Sequence, residues 1–229
     1  MASCNTARYL EEAIESVLSQ KDASYELLIG DDCSQDSSRQ KLKRYRQHPA
    51  VRLFLGNRRK GPAKLRNDLI RQSKSTFICP VDSDDILLPG ALQRMSEIFK
   101  SNPSLGLVYG DCLMFYEDKT GRPTELPRLC QIDSNSIWNL VGSRINHGGC
   151  LMKRECFWAA GGYDERTWFI EDFSLLLRFE EMFPIKYLKG ETYYLWRRHP
   201  KSGSQRIETG PAVLRILKEV YERRERAEI

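Results

Sequence analysis

Acidic residues with the spacing for chemistry fall in three places. Asp31-Asp32 close the apolar run YELLIG, Asp82, Asp84 and Asp85 close TFICPV, and Glu171-Asp172 open a segment of helical composition. Three carboxylates within four residues repel one another, and burying them unpaired is costly. A divalent cation removes that problem. Hard oxygen ligands one residue apart suit Mg²⁺ or Mn²⁺, usually shared with substrate phosphates. The plainer alternative is a solvated turn whose aspartates cap the helix starting near Pro89. Glu171 and Asp172 have their own plain reading, because acids are favoured in a first helical turn.

The elements that must hold these acids alternate in type. Residues 7–20 place Leu10, Ile14, Val17 and Leu18 on one helical face. A buried strand is expected at 25–30, a basic helix at 36–47, a strand at 51–55 and, after the Gly56-Asn57 turn, a helix at 62–72. A strand at 76–81, a helix from Pro89 and a strand at 105–111 continue the rhythm. Such βαβ units specify an α/β fold with an open, mostly parallel sheet and helices on both faces. In such sheets ligands bind outside the carboxyl ends of the strands, where the first two acidic clusters lie. After residue 111 the rhythm degrades. A polar, Pro-punctuated connection at 117–136 precedes a helix at 171–182, strands at 185–188 and 193–197, and a charged amphipathic helix at 209–226. One domain is expected over 1–229, with a regular half to about 111, an irregular half to about 205 and a C-terminal helix.

Composition narrows the classes. Hydrophobic residues are 41% and charged residues 29%, as in ordinary globular proteins. Mean hydropathy is −0.53, and no apolar run has the roughly 20 residues of a membrane span. Thirty-six basic and 31 acidic residues leave a net charge of +5, which suits anionic small molecules or a lipid surface. The basic residues are dispersed among acids, without the aromatic-interleaved pattern of a nucleic-acid binder. Seven cysteines, an odd number with no two-residue spacing, read as reduced buried thiols. With no basic-then-apolar start, the expected location is the cytosol or the cytosolic membrane face.

The blocks NTARYLEEAIESVLSQ, ELLIGDDCSQDSS, GPAKLRN, ICPVDSDDILLPGAL and GGYDERTWFIEDFSLLLRF, in this order, resemble family 2 glycosyltransferases of the GT-A fold. The resemblance covers residues 3 to about 205. It implies transfer of a sugar from a nucleotide diphosphate donor to a hydroxyl of a saccharide, lipid-linked or protein acceptor, with inversion. It implies that Asp32 reads the nucleobase, that Asp82 lies near the donor ribose and metal, and that Asp84 holds the cation. Asp172 matches the general base, with Glu171 the adjacent rival. Arg66 and Asn67 match a pair near the donor base, and Arg198 and His199 a late segment near the diphosphate. The alternatives are an exposed helix arginine and a plain loop histidine beside Pro200. Gly161-Gly162 suit a turn with positive φ, and Trp168 suits either an acceptor wall or the core.

Single displacement needs this inventory. Charge develops on the departing diphosphate, which a cation stabilises, and the attacking hydroxyl must lose its proton to a base on the other side of the sugar. Two departures stand out. Only Met1-Ala2-Ser3 precede Cys4-Asn5, so the family's first strand is expected to be truncated, with unpaired edges that invite self-association. Cys4 also stands where a base-stacking aromatic is common. A degenerate module of the same fold that binds a nucleotide or partner is the competing reading. A nucleotidyltransferase lacks support because no Gly-rich basic loop follows Asn5, and an NAD enzyme because no G-x-G-x-x-G follows a strand.

Overall fold

A computed structural model describes residues 1–21, 23–130, 147–167, 170–202 and 210–227. Three parallel strands form the first sheet: β1 (Ala2–Ser3), β2 (Leu27–Asp31) and β3 (Val51–Leu55), in the order β1-β2-β3. Ser3 lies opposite Asp31, and Asp31 opposite Leu55, so the first acidic pair sits at the carboxyl end of the sheet. Helices α1 (Leu10–Leu18), α2 (Ser38–Lys43) and α3 (Pro62–Gln72) connect and cover it. Leu10, Ile14 and Val17 of α1 are buried at the predicted helical spacing. Pro62 starts α3 because its missing N–H would have no intrahelical partner there. Gly30 lets α3 approach, since a Cβ there would stand 2.7 Å from the Leu65 side chain.

The second sheet is mixed. Its path is β4 (Phe77–Ile78), β8 (Leu151–Lys153), β6 (Leu107–Tyr116), β9 (Ile185–Arg198) and β5 (Ile86–Leu87), with β7 (Arg128–Cys130) also on β6. The β6–β9 pairing is parallel, and the others are antiparallel. Parallel pairing holds for the strands expected at 25–30 and 51–55. Those expected at 76–81 and 105–111 join this separate mixed sheet instead of one mostly parallel sheet, because β8, from the irregular second half, inserts antiparallel between β4 and β6. Helices α4 (Ala91–Ser101), α5 (Arg154–Ala159), α6 (Glu171–Met182) and α7 (Gly210–Ala227) complete the chain. The two strands expected at 185–188 and 193–197 are one strand, β9, whose register against β6 shifts around Asp111. There Gly190 has φ 80°, and its N–H donates to Asp111 Oδ2 at 3.1 Å.

Strands β6 and β8 divide the interior. Leu107 and Tyr109 pack with Met152, Phe157, Leu175 and Phe179, whereas Val108 and Cys112 pack with Leu151, Leu10, Ile29 and Met95. Alternate side chains of one strand face opposite sides, so the same two strands wall both cores. β1 pairs with β2 over two residues, and no strand pairing links the two sheets among the described residues. Among those residues, no helix is long and apolar enough to cross a membrane. Cys4, Cys33, Cys79, Cys112, Cys150 and Cys156 are free thiols.

Candidate active site

The two acids after β2 have different surroundings. Asp31 is fully buried, and its Oδ2 accepts from Arg39 Nε at 2.6 Å and from the Ser34 N–H at 3.1 Å. Asp32 faces the loop before α3. Its Oδ1 accepts the Lys60 N–H at 2.6 Å and its Oδ2 the Gly61 N–H at 2.9 Å. Gly61 has φ 84°, which its lack of a side chain permits. Two backbone donors therefore aim the Asp32 carboxylate and leave it further lone pairs for a ligand. Asn5 and Cys33 both take positive φ beside it, tied by Asn5 Oδ1 accepting the Gln35 N–H at 2.7 Å. Cys4 Sγ lies 3.5 Å from the Asp32 carbonyl oxygen.

The acids after β4 are each matched by a different partner. Asp82 is ion-paired with Arg66 at 2.6 Å. Burial works against its charge, yet the Arg66 guanidinium holds its proton affinity below the usual range. Asp84 Oδ2 meets His199 Nε2 at 3.1 Å. Asp85 is buried, receiving the Tyr194 hydroxyl and the Arg197 N–H, each at 2.8 Å. Burial, followed by the charges of Asp84 and Asp82, pushes its carboxyl well above the ordinary value. The Asp82 N–H also donates to the Tyr194 hydroxyl at 3.0 Å, so one phenol joins the acidic loop to β9. Gly148 and Gly149 make room for that ring, because a Cβ would come within 2.4 Å and 2.6 Å of it.

The late segment is held by Arg197, which composition and spacing did not single out. Its Nε donates to the Asp84 carbonyl at 2.8 Å, its guanidinium binds Glu12 and Glu117, and it lies 4.9 Å over the Tyr9 ring. Its neighbour Arg198 packs over Trp196 at 4.8 Å, with a buried Nε that has no hydrogen-bond partner among the described residues. His199 is buried, and its ring packs at a tilt of 35° against Tyr9, centroids 4.5 Å apart. The Lys201 N–H points at His199 Nδ1 at 3.2 Å, which assigns the ring proton to Nε2. Nε2 is therefore a donor, suited to Asp84 or to a phosphate oxygen.

The third acidic pair sits in the first turn of α6. Glu171 is buried, and its Oε1 receives Arg66, while its Oε2 has no hydrogen-bond partner among the described residues. Arg66 thus spans Asp82 and Glu171, with Tyr163 beside it at 5.8 Å. Asp172 is half-buried, and burial together with the Glu171 charge raises its carboxyl to about 6. The turn before α6 is anchored to α3. Asn67 accepts the Tyr163 N–H at 3.0 Å and donates to the Tyr163 carbonyl at 2.9 Å. Gly161 and Gly162 adopt φ 86° and 66°, the positive values expected of that pair. Arg178 of α6 grips the carbonyls of Ala160 and Gly162. His147, hydrogen-bonded to the Tyr163 hydroxyl, is lowered to about 3 by burial and the nearby Arg66 charge, so it stays neutral. Trp168 lies outside the described residues.

The structure thus brings Arg66, Asp82 and Glu171 into contact and, separately, Asp84 and His199. Asp32 faces the Lys60–Gly61 turn. Tyr194, Arg197, His147 and Tyr163 were missed; the adjacent Gly148-Gly149 pair was the one available signal of a close approach.

A family profile described as Glycosyl transferase family 2 matches residues 1–161. The chain belongs to this family. The matched residues include Asp32, Arg66, Asp82 and Asp84 and end before Glu171. The succinoglycan biosynthesis protein ExoO of Rhizobium meliloti is 37% identical over 162 residues, 67% of this chain and 45% of that protein. The Staphylococcus aureus TarS fragment solved with UDP-GlcNAc superposes with a TM-score of 0.74 at 18% identity, covering 96% of this chain and 63% of that one. The mannosyltransferase PcManGT of Pyrobaculum calidifontis, solved with GDP-Man and Mn²⁺, gives 0.65 at 18% identity over 88% and 56%. These likenesses establish the α/β GT-A fold. The chain spans between 21% and 65% of the length of the first curated relatives it matches.

A divalent cation fits this family 2 site on the chemistry of its donors. Asp84 is partly exposed, and Mg²⁺ or Mn²⁺ is commonly held by one or two carboxylates with substrate phosphates and water. Among the described residues, no group of three or more His, Cys, Asp and Glu side chains is placed to hold a metal ion by itself.

Proposed function

We propose that this domain transfers a sugar, with inversion, from a nucleotide diphosphate donor to a hydroxyl of a saccharide or lipid-linked saccharide acceptor. The observation that carries the reading is the division of the acids. Asp84 stays partly exposed in the loop after β4, while Asp172, on a separate helix, has a proton affinity raised to about 6. Asp32 accepts the imide N–H of a nucleobase such as uracil, thymine or guanine. Asp82 lies on the ribose side. His199 Nε2–H and Arg198 face the diphosphate, and Asp84 holds Mg²⁺ or Mn²⁺.

When bound, the cation supplies Lewis-acid stabilisation of the departing diphosphate. Asp172 accepts the proton of the attacking hydroxyl. The hydroxyl oxygen bonds the anomeric carbon as the carbon–phosphate oxygen bond breaks, and that electron pair stays on the nucleoside diphosphate. A carboxylate near 6 is a better base than an ordinary aspartate yet remains about nine-tenths ionised at pH 7. The competing degenerate binding module is disfavoured by this raised carboxyl, which nucleotide binding alone does not require.

The test is hydrolysis or transfer across a panel of UDP-, GDP- and dTDP-sugars with Mn²⁺ and with chelator. Turnover of one donor that chelator abolishes is expected. Nucleotide binding without turnover in the presence of any acceptor would favour the binding module. Equal activity with chelator would remove the role of Asp84.

A further inference from the structure

We propose that Arg66 and Glu171 are positioning residues for the transfer step, with Arg66 acting as a strut that fixes the base helix against the donor loop. The proposal rests on the reading of Asp172 as the base. Arg66 projects from α3, one guanidinium nitrogen on Asp82 at 2.6 Å and the other on Glu171. These residues are distant in sequence and belong to three different segments. The guanidinium is largely buried, with 16% of its side-chain surface exposed, and Glu171 has 4%. Next along α3, Asn67 clamps both backbone groups of Tyr163, ahead of α6. The Arg66-Asn67 pair therefore ties α3 both to the donor loop and to the segment that delivers Asp172.

This placement differs from a donor-base contact. Both terminal nitrogens of Arg66 are engaged by carboxylates, and its ring neighbour is Tyr163. Asp32 is instead aimed by the Lys60 and Gly61 backbone. A planar, forked cation can hold two carboxylates at a set separation, whereas a lysine ammonium is one point on a flexible stem. Transfer demands that the base and the donor carbon keep a fixed distance, and misplacement by about 1 Å costs roughly 10²-fold. Glu171 also has an electrostatic part. The groups acting on Asp172 are Glu171 and the Phe173 N–H on its own helix, Arg66 from α3 and Asp82 from the donor loop; His147 and Tyr163 stand behind Arg66.

The experiment compares Arg66→Lys, Glu171→Gln and Asp172→Asn for thermal stability, nucleotide affinity with Mn²⁺, and kcat against pH. Arg66→Lys should lose roughly 10- to 100-fold in kcat while nucleotide Kd stays within about threefold. Glu171→Gln keeps an oxygen for Arg66 but removes the charge beside Asp172. It should lose less kcat than Arg66→Lys and move the acid limb of kcat to lower pH, which a purely structural role would not do. A kcat for Arg66→Lys within threefold of wild type overturns the strut. So does a rise in Kd equal to the fall in kcat, which would make Arg66 a donor contact. An unmoved acid limb in Glu171→Gln removes that residue from the proposal, and this arm decides even if Arg66→Lys fails to fold. Full turnover by Asp172→Asn would instead refute the base assignment, whatever Arg66→Lys shows.

Discussion

Replacing Tyr194 with Phe removes one oxygen from the centre of the site and leaves the ring against Gly148 and Gly149. That oxygen accepts the Asp82 N–H at 3.0 Å and donates to Asp85 Oδ2 at 2.8 Å, on a side chain only 2% exposed. Each lost bond is worth about 1 kcal/mol net, and a buried partner left without one costs about 1–3 kcal/mol. No water reaches so enclosed a position cheaply, so Tyr194→Phe should destabilise the fold by about 2–4 kcal/mol. In a chain of this size each kcal/mol lowers Tm by about 2–4 °C, so a drop of roughly 4–16 °C is expected. The loop bearing Asp84 then loses one of its ties to β9, keeping those from the Arg197 N–H and guanidinium. Nucleotide affinity in Mn²⁺, read by calorimetry well below the new Tm, should fall with it. A Tm within about 1 °C of wild type, with unchanged affinity, would show that the phenol does not join loop to strand and would refute the reasoning.

Other outcomes follow from the same contacts. Asp85→Asn should retain nucleotide and Mn²⁺ affinity where Asp84→Asn loses it, since Asp85 is turned to Tyr194 and Arg197; calorimetry on the pair decides. The raised carboxyl of Asp85 means that its contribution to stability is full below the unfolded value near 4 and is lost as pH rises through the folded value. Asp85→Asn should therefore gain Tm relative to wild type as pH rises, and melts from pH 5 to 8 would show the opposite trend if Asp85 were ionised and well paired. With Asp172 raised to about 6 and required without its proton, kcat should climb tenfold per pH unit below about 6 and level off above it. A pH-rate profile flat to pH 4.5 would contradict that.

Much of this was legible in the residues themselves. The limits of β3, α3 and α6 coincide with the expected 51–55, 62–72 and 171–182, because Gly56-Asn57, Pro62 and the Glu171-Asp172 start carry local signals of turn or helix entry. β5, β8 and α5 were not foreseen. Two or three residues of strand show no period, and α5 follows β8 without a break. β9 read as two strands because Gly190 interrupts its alternation at the Asp111 register shift. In the site, the spacing of Asp82, Asp84 and Asp85 exposed the electrostatic problem but not its solution. A cation was one answer, and the fold supplies others: Arg66 for Asp82, His199 for Asp84, and Tyr194 with the Arg197 N–H for Asp85. Most of these partners lie more than a hundred residues along the chain, beyond what local patterning can reach.

The central claim is that Asp172 takes the proton from the acceptor while the other acids hold the donor. Asp172→Asn keeps shape and the Phe173 N–H contact at 2.7 Å while removing basicity. With the donor found by the panel, the measurement is kcat beside nucleotide Kd in Mn²⁺ for this variant and wild type. The account predicts a kcat loss of roughly 10²- to 10⁴-fold with Kd within about twofold. A variant that turns over at the wild-type rate, or one that loses donor affinity in step with its rate, would contradict it.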